Sequence, residues 1–210
     1  MDLSIRALTP ELVGDYLDFF DHRAFSDGSP YYPCYCNAFN LSTEGIRAMI
    51  APAEARGGGK EAVRDTLRES ARQMVLDGRI RGYLAYDGGL SVGWCNANDR
   101  MNYFRVGEFN TDDVPEDRPP EDCPSPGFIR SIVCFEISPA YRGMGIAGML
   151  LARVCEDAAA QGYSFVEAYP QDQVEDISLA FTGPRRLYEK AGFTQFGRRG
   201  SAVIMRKALI

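Results

Sequence analysis

Hydrophobic positions along this chain follow two rhythms, and the place where one gives way to the other organises the rest. Phe128 to Ile137 reads FIRSIVCFEI, an alternating stretch rich in Ile, Val and Phe. That pattern predicts a strand with at least one buried face. Ser138 and Pro139 end it, because proline has no N–H for the ladder. From Ile146 the spacing becomes three and four. Ile146, Ala147, Leu150, Leu151, Val154 and Ala158 share one stripe, with Arg153, Glu156, Asp157 and Gln161 on the other side. Gly162 is placed to stop that helix in a left-handed conformation, and Tyr163 to Tyr169 reads as a second strand. The unit is strand, glycine turn, helix, strand, with parallel strands and a crossover.

The flanking chain carries the same two rhythms. Leu3 to Leu8 predicts a short strand, and Thr9, Pro10 and Glu11 read as N-cap, first helical residue and acidic first turn. Leu12, Val13, Tyr16, Leu17 and Phe20 form the stripe that follows. A second helix runs from about Lys60 to Asp77, with Val63, Leu67, Ala71 and Met74 inward and Gly78 as its stop. Arg79 to Tyr86 and Leu90 to Asn96 form a hairpin around Asp87-Gly88-Gly89. A short helix ends at Ala191-Gly192, and Phe193 to Arg198 and Ser201 to Lys207 close the chain as a hairpin around Arg199-Gly200. Alternating strands and helices predict the α/β class.

Two segments break the pattern. Residues 24–59 are the less regular part of the N-terminal half. Within them, Ser29 to Phe39 packs four aromatics, two prolines and two cysteines into eleven residues. It reads either as a pocket wall or as an aromatic loop packed on the core. Cys34 and Cys36 have no second ligand pair at zinc-site spacing, so no metal is expected. The other segment, 98–127, is an insertion with five prolines and seven acidic residues between Glu108 and Asp122. It reads as a solvated loop or as an acidic lip that attracts a cationic amine.

Composition narrows the classes. At 210 residues, 45% hydrophobic and 25% charged, the chain fits a single domain, 1–210, with a sizeable core. The net charge of −6 argues against nucleic acid as the main partner. No apolar run is long enough to span a membrane, and the N-terminus lacks a signal peptide's basic and apolar regions. The protein therefore reads as cytoplasmic, with no membrane partner and with its six cysteines as reduced thiols. A homodimer is left open. His22, the single histidine, reads as a surface residue.

The glycine turn carries the candidate chemistry. A helix N-terminus offers unpaired N–H groups and a partial positive charge, and so attracts phosphate. Gly143 and Gly145 have no Cβ to keep a diphosphate from the backbone, and Arg142 adds a cation. Glycines that serve only the turn are the plainer alternative. Gly57-Gly58-Gly59-Lys60 fails as a P-loop, because Glu54 and Glu61 stand where Gly and Ser or Thr belong.

Spacing decides between the two. Arg142-x-x-Gly145-x-Ala147, straight after a strand ending in Ile137-Ser138-Pro139, resembles the acyl-CoA signature of the GNAT N-acetyltransferase superfamily. Leu187-Tyr188-Glu189-Lys190-Ala191-Gly192-Phe193 resembles the same superfamily's Y-E-K-x-G-F element, and Gly82 to Trp94 resembles its central hairpin. The resemblance covers roughly residues 79 to 207. It implies a GNAT fold, a mixed central sheet of about six to seven strands with flanking helices, whose cofactor cleft opens where the Phe128–Ile137 strand bulges and splays from its neighbour.

The resemblance implies acetyl-CoA as co-substrate, with no metal, and Ile137, Arg142, Gly143, Met144, Gly145, Ile146 and Ala147 as cofactor-binding residues. Tyr188 matches the usual general acid for the leaving thiolate; a core tyrosine beside Phe193 is the alternative. Phe181 and Pro184 stand where many members carry Asn and Ala, with Thr182 as a substitute for the asparagine. Ser131 stands where some members carry a catalytic Glu. Glu136 is the carboxylate nearest the turn and the candidate base, although alternation threatens to turn it from the cleft. Glu167 is a second carboxylate, and an acyl-Cys134 intermediate a third option. Tyr32, Tyr35 and Phe39 are candidate acceptor lining, for a small amine. The rival is a non-catalytic acyl-CoA-binding module.

Overall fold

The computed structural model describes residues 1–57, 59–104, 106, 128–171, 180–199 and 202–209. Seven strands form one open mixed sheet: β1 (Leu3–Ala7), β2 (Gly82–Asp87), β3 (Leu90–Asp99), β4 (Ile129–Ile137), β5 (Phe165–Ala168), β6 (Thr194–Arg199) and β7 (Ala202–Ala208). Their spatial order is β1-β2-β3-β4-β5-β7-β6. Only β4 and β5 run parallel, and every other neighbouring pair is antiparallel. The helices are α1 (Val13–His22), α2 (Thr43–Ala55), α3 (Gly59–Leu76), α4 (Ile146–Ala160) and α5 (Arg185–Lys190).

Two cores cover the two faces of the sheet. On one, Tyr16, Phe19 and Phe20 of α1 and Met74 and Val75 of α3 meet Leu84, Trp94 and Val133. On the other, Leu150, Leu151 and Val154 of α4 and Tyr188 of α5 meet Ala85, Cys95, Ile132 and Phe135. Alternation sorts the side chains: Leu84 and Tyr86 go to the first face, Tyr83 and Ala85 to the second.

β4 departs from strict alternation at one point. Asn96 opposes Cys134 and Ala97 opposes Ile132, which leaves Val133 as an extra residue. This is a β-bulge. Val133 and Cys134 consequently lie in the same core, and every later residue of β4 faces opposite to where unbroken alternation would put it. Beside the bulge the sheet splays. β4 pairs with β5 only from Ile129–Phe165 to Ile132–Ala168, and its remaining residues pair with β3 alone.

Several boundaries differ from expectation. Thr9 makes no side-chain cap; Pro10–Leu12 form a 3-10 turn and α1 begins at Val13. Residues 24–59 contain a full helix, α2, capped by Ser42, whose Oγ accepts from the Gly45 N–H at 3.0 Å. Pro52 inside it hides its periodicity. Asn98 and Asp99 belong to β3 rather than to the 98–127 insertion, most of which (105 and 107–127) lies outside the described residues. Gly200 and Ser201, at the expected closing hairpin, and residues 172–179 lie outside them too.

Candidate active site

α4 begins where the glycine turn ends. Gly143 and Gly145 adopt φ of +80° and +82°, the left-handed region in which an L side chain is strained. Gly145 is the N-cap, so the first N–H groups of α4 have no partner within the helix. A Cβ at Gly143, Gly145 or Gly148 would meet no atom within 4 Å. The glycines thus serve a backbone shape and an open approach, not a tight contact.

This turn forms one wall of a cleft of about 390 Å³. The β4 end supplies Phe135, Glu136 and Ile137; Ala180, Phe181 and Gly183 face them; Arg186 and Lys190 reach in from α5. The last two stand one helical turn apart on one face, and the sequence reading passed over them. Of the expected cofactor residues, Ile137, Arg142, Gly143, Gly145, Ile146 and Ala147 line the cleft. The Met144 side chain is exposed instead.

Arg142 is committed elsewhere than the helix N-terminus. Its Nη1 meets Asp27 at 2.5 Å, its Nε donates to the Ile137 carbonyl at 3.1 Å, and its Nη2 lies 3.5 Å from Glu136. Glu136 faces the α1 side of the sheet, because the bulge at Val133 reverses the alternation before it. Burial pushes the Glu136 carboxyl up to about 7, against the opposing pull of Arg142.

Tyr188 is fully buried, with its ring 5.5 Å from Phe193 and 6.5 Å from Phe135. Its hydroxyl donates to the Thr182 carbonyl. It borders the cleft through Gly183, whose Cβ position lies 3.1 Å from that hydroxyl. Burial pushes the phenol well above its usual range, so it stays protonated at neutral pH. Thr182 itself is buried.

The expected acceptor residues separate. Tyr32 is exposed and packs on Phe25; Tyr35 is buried and its hydroxyl donates to Asp21 at 2.6 Å. Phe39 packs against Phe181 of the cleft at 6.4 Å. Tyr31, unremarked in the sequence, stands edge-on to Phe181 at 5.2 Å. Among four aromatics so closely spaced, only the fold reveals that Tyr31 and Phe39 are the two against Phe181.

The remaining candidates sit apart from the cleft lining. Ser131 Oγ lies 2.8 Å from the Tyr169 hydroxyl, which donates to Glu167 at 2.9 Å; Arg206 pairs with the same carboxylate at 2.5 Å. Cys134 is buried, and its thiol lies above the usual range: a contact from Cys36 lowers it, but burial and the Glu136 charge outweigh that. Cys34, Cys36, Cys95, Cys134 and Cys155 are all free thiols. Among the described residues, no group of three or more His, Cys, Asp or Glu is placed to hold a metal ion. Nor is any helix among them long and apolar enough to cross a membrane. His22 is a surface residue, 69% exposed at its side chain.

Comparison with known proteins agrees with this geometry. No curated protein matches the sequence. Among solved structures, an N-acetyltransferase from Staphylococcus aureus Mu50 superposes with a TM-score of 0.54 at 14% identity, covering 100% of both chains. A GNAT-family acetyltransferase from Streptococcus pneumoniae gives 0.51 at 17% identity, again over 100% of both. The PaiA N-acetyltransferase of Thermoplasma acidophilum, solved in complex with coenzyme A, gives 0.50 at 16% identity over 99% of each. At such identities these likenesses speak to the fold. The acetyltransferase (GNAT) family itself matches residues 52–193, more than half of the sequence. With its open mixed sheet, splayed β4 and glycine turn, the chain belongs to the GNAT acetyltransferase family.

Proposed function

We propose that this protein transfers an acetyl group from acetyl-CoA to the primary amine of a small acceptor. The observation that carries this reading is the junction of three features in one cleft: the splay of β4 from β5, the Gly143–Gly145 turn, and the unpaired start of α4. The PaiA structure with coenzyme A supports the choice of cofactor, at the level of the fold.

The residues present fit such a cofactor. The first N–H groups of α4 would meet the diphosphate, and Arg186 and Lys190 would add the cations that Arg142, tied to Asp27 and Glu136, does not. A group whose conjugate acid has a pKa near 7 is suited to take a proton from an ammonium. Glu136, at about 7 in the cleft wall, is that base. Phe39, Phe181 and Tyr31 are the aromatic lining beside the acceptor. Tyr188 is the acid that returns a proton to the thiolate; its hydroxyl first leaves the Thr182 carbonyl.

The test is thermal unfolding with acetyl-CoA. Ligand at 100 times its dissociation constant stabilises by about 2.7 kcal/mol. The wild type should shift upward and Gly145→Glu, with a carboxylate in the turn, should not. A wild type that melts unchanged at millimolar acetyl-CoA would remove the reading.

A further inference from the structure

Asp27 and Arg142 are 115 residues apart in sequence, and their side chains meet at 2.5 Å. Asp27 lies in the loop after α1, and Arg142 lies in the cofactor turn. The same guanidinium reaches Glu136 at 3.5 Å and the carbonyl of Ile137, the last residue of β4, at 3.1 Å. Neither Asp27 nor Arg142 is buried, with side chains 29% and 32% exposed, whereas Glu136 is 11% exposed. One forked cation therefore bridges two carboxylates of different solvation and ties the α1 loop to the cofactor turn. A planar guanidinium can do this because its donors diverge; an ammonium cannot hold the same three directions at once.

We propose that Asp27 is a positioning residue: by anchoring Arg142 it fixes how closely the cation approaches Glu136, and so governs when Glu136 carries charge. The catalytic meaning of this clamp rests on reading Glu136 as the base.

Among the described residues, the charged and titratable groups around Glu136 are these. Arg142 comes from the turn, Asp27 from the α1 loop, Cys34 from the aromatic segment and Cys134 from β4 itself. Arg186 and Lys190 line the same cleft from α5. β3 presents Trp94 opposite Glu136, with no charge. Both thiols sit above their usual range and stay neutral near pH 7. Asp27 is held ionised, because Arg142 outweighs the effect of its burial. The signs of two substitutions then follow. Asp27→Asn removes a negative charge from beside Glu136 and frees Arg142 to close on it, and both effects favour the carboxylate. Arg142→Gln removes the favouring cation.

The experiment is a carbon-13 titration of the Glu136 side-chain carboxyl in the ligand-free protein, assigned by its loss in Glu136→Gln. The midpoint should fall by about one unit in Asp27→Asn and rise by about one unit in Arg142→Gln. Asp27→Glu should restore most of the wild-type value. An Asp27→Asn midpoint equal to wild type, in a protein whose melting temperature is kept, would overturn the clamp. So would shifts of the same sign in both variants. If Asp27→Asn proves unstable, the Arg142→Lys midpoint decides: a rise toward that of Arg142→Gln supports the clamp, and a wild-type value overturns it. The base reading is tested separately. Full acetylation of an amine by Glu136→Gln would remove Glu136 as base and leave the titration result standing.

Discussion

The Phe135 N–H donates to the Phe181 carbonyl at 2.5 Å, so the free edge of β4 beside the bulge is met by the chain's own backbone. The next carbonyl, Thr182, accepts from Tyr188. The short segment Ala180–Pro184 therefore accepts from two donors beside the cleft, the Phe135 N–H and the Tyr188 hydroxyl. A buried donor needs a partner, and in the free protein this segment supplies one to each.

Gly183 lies next to both contacts, between Thr182 and the Tyr188 hydroxyl. Its φ is +77°, and a Cβ would lie 3.1 Å from the Tyr188 hydroxyl and 3.3 Å from Leu187. We expect Gly183→Ala to cost about 1–2 kcal/mol, enough to lower the melting temperature by several degrees. Gly148 gives the contrast, since it lies inside α4 with nothing within 4 Å of its Cβ position. Gly148→Ala should leave the free protein as stable or up to about 1 kcal/mol more so, while weakening acetyl-CoA binding by narrowing the cleft. Melting curves with and without acetyl-CoA check both.

Tyr188→Phe separates an enzyme from an acyl-CoA-binding module. As the acid, Tyr188 contributes about 100-fold or more to turnover. The variant should lose that factor in thiol release while its acetyl-CoA affinity stays within a few-fold of wild type. It should also lose about 1 kcal/mol of stability, because the Thr182 carbonyl loses its donor. Equal turnover in the two proteins would dismiss Tyr188 as the acid.

Glu136 predicts a pH signature in stability. Burial pushes its carboxyl from the ordinary 4.5 up to about 7 in the folded protein. Between those values the folded state keeps a proton that the unfolded state has lost, so stability falls as pH rises, and above 7 the cost is complete. The full cost is on the order of 3 kcal/mol. Glu136→Gln should therefore match wild type near pH 4.5 and exceed it in melting temperature at pH 8. A gap between the two that does not change with pH would contradict this.

Arg186 and Lys190 line the same cleft as the glycine turn. Reversing either charge should weaken acetyl-CoA binding by about ten-fold, or 1.4 kcal/mol, and flatten its salt dependence. Calorimetric titration at two ionic strengths is the measurement. The same substitutions should leave the melting temperature of the free protein within about a degree, because both side chains sit on an exposed helix face.

The strand, turn and helix around Gly145 were legible from the sequence, because periodicity, a helix stop and a positive-φ glycine are properties of neighbouring residues. The resemblance to the GNAT superfamily implied a mixed sheet of about six to seven strands, and the fold has seven. The α2 helix was not legible, since Pro52 interrupts its pattern. Which way Glu136 faces was decided by one extra residue, Val133: a bulge forms where two strands fail to match, which neither strand encodes alone. Tyr31 rather than Tyr32 packs on Phe181 of the cleft, about 150 residues away in sequence, a contact that no local pattern encodes. The Asp27–Arg142 contact is of the same kind. Sequence settles what neighbours along the chain can do together, and only the folded sheet brings the α1 loop to the cofactor turn.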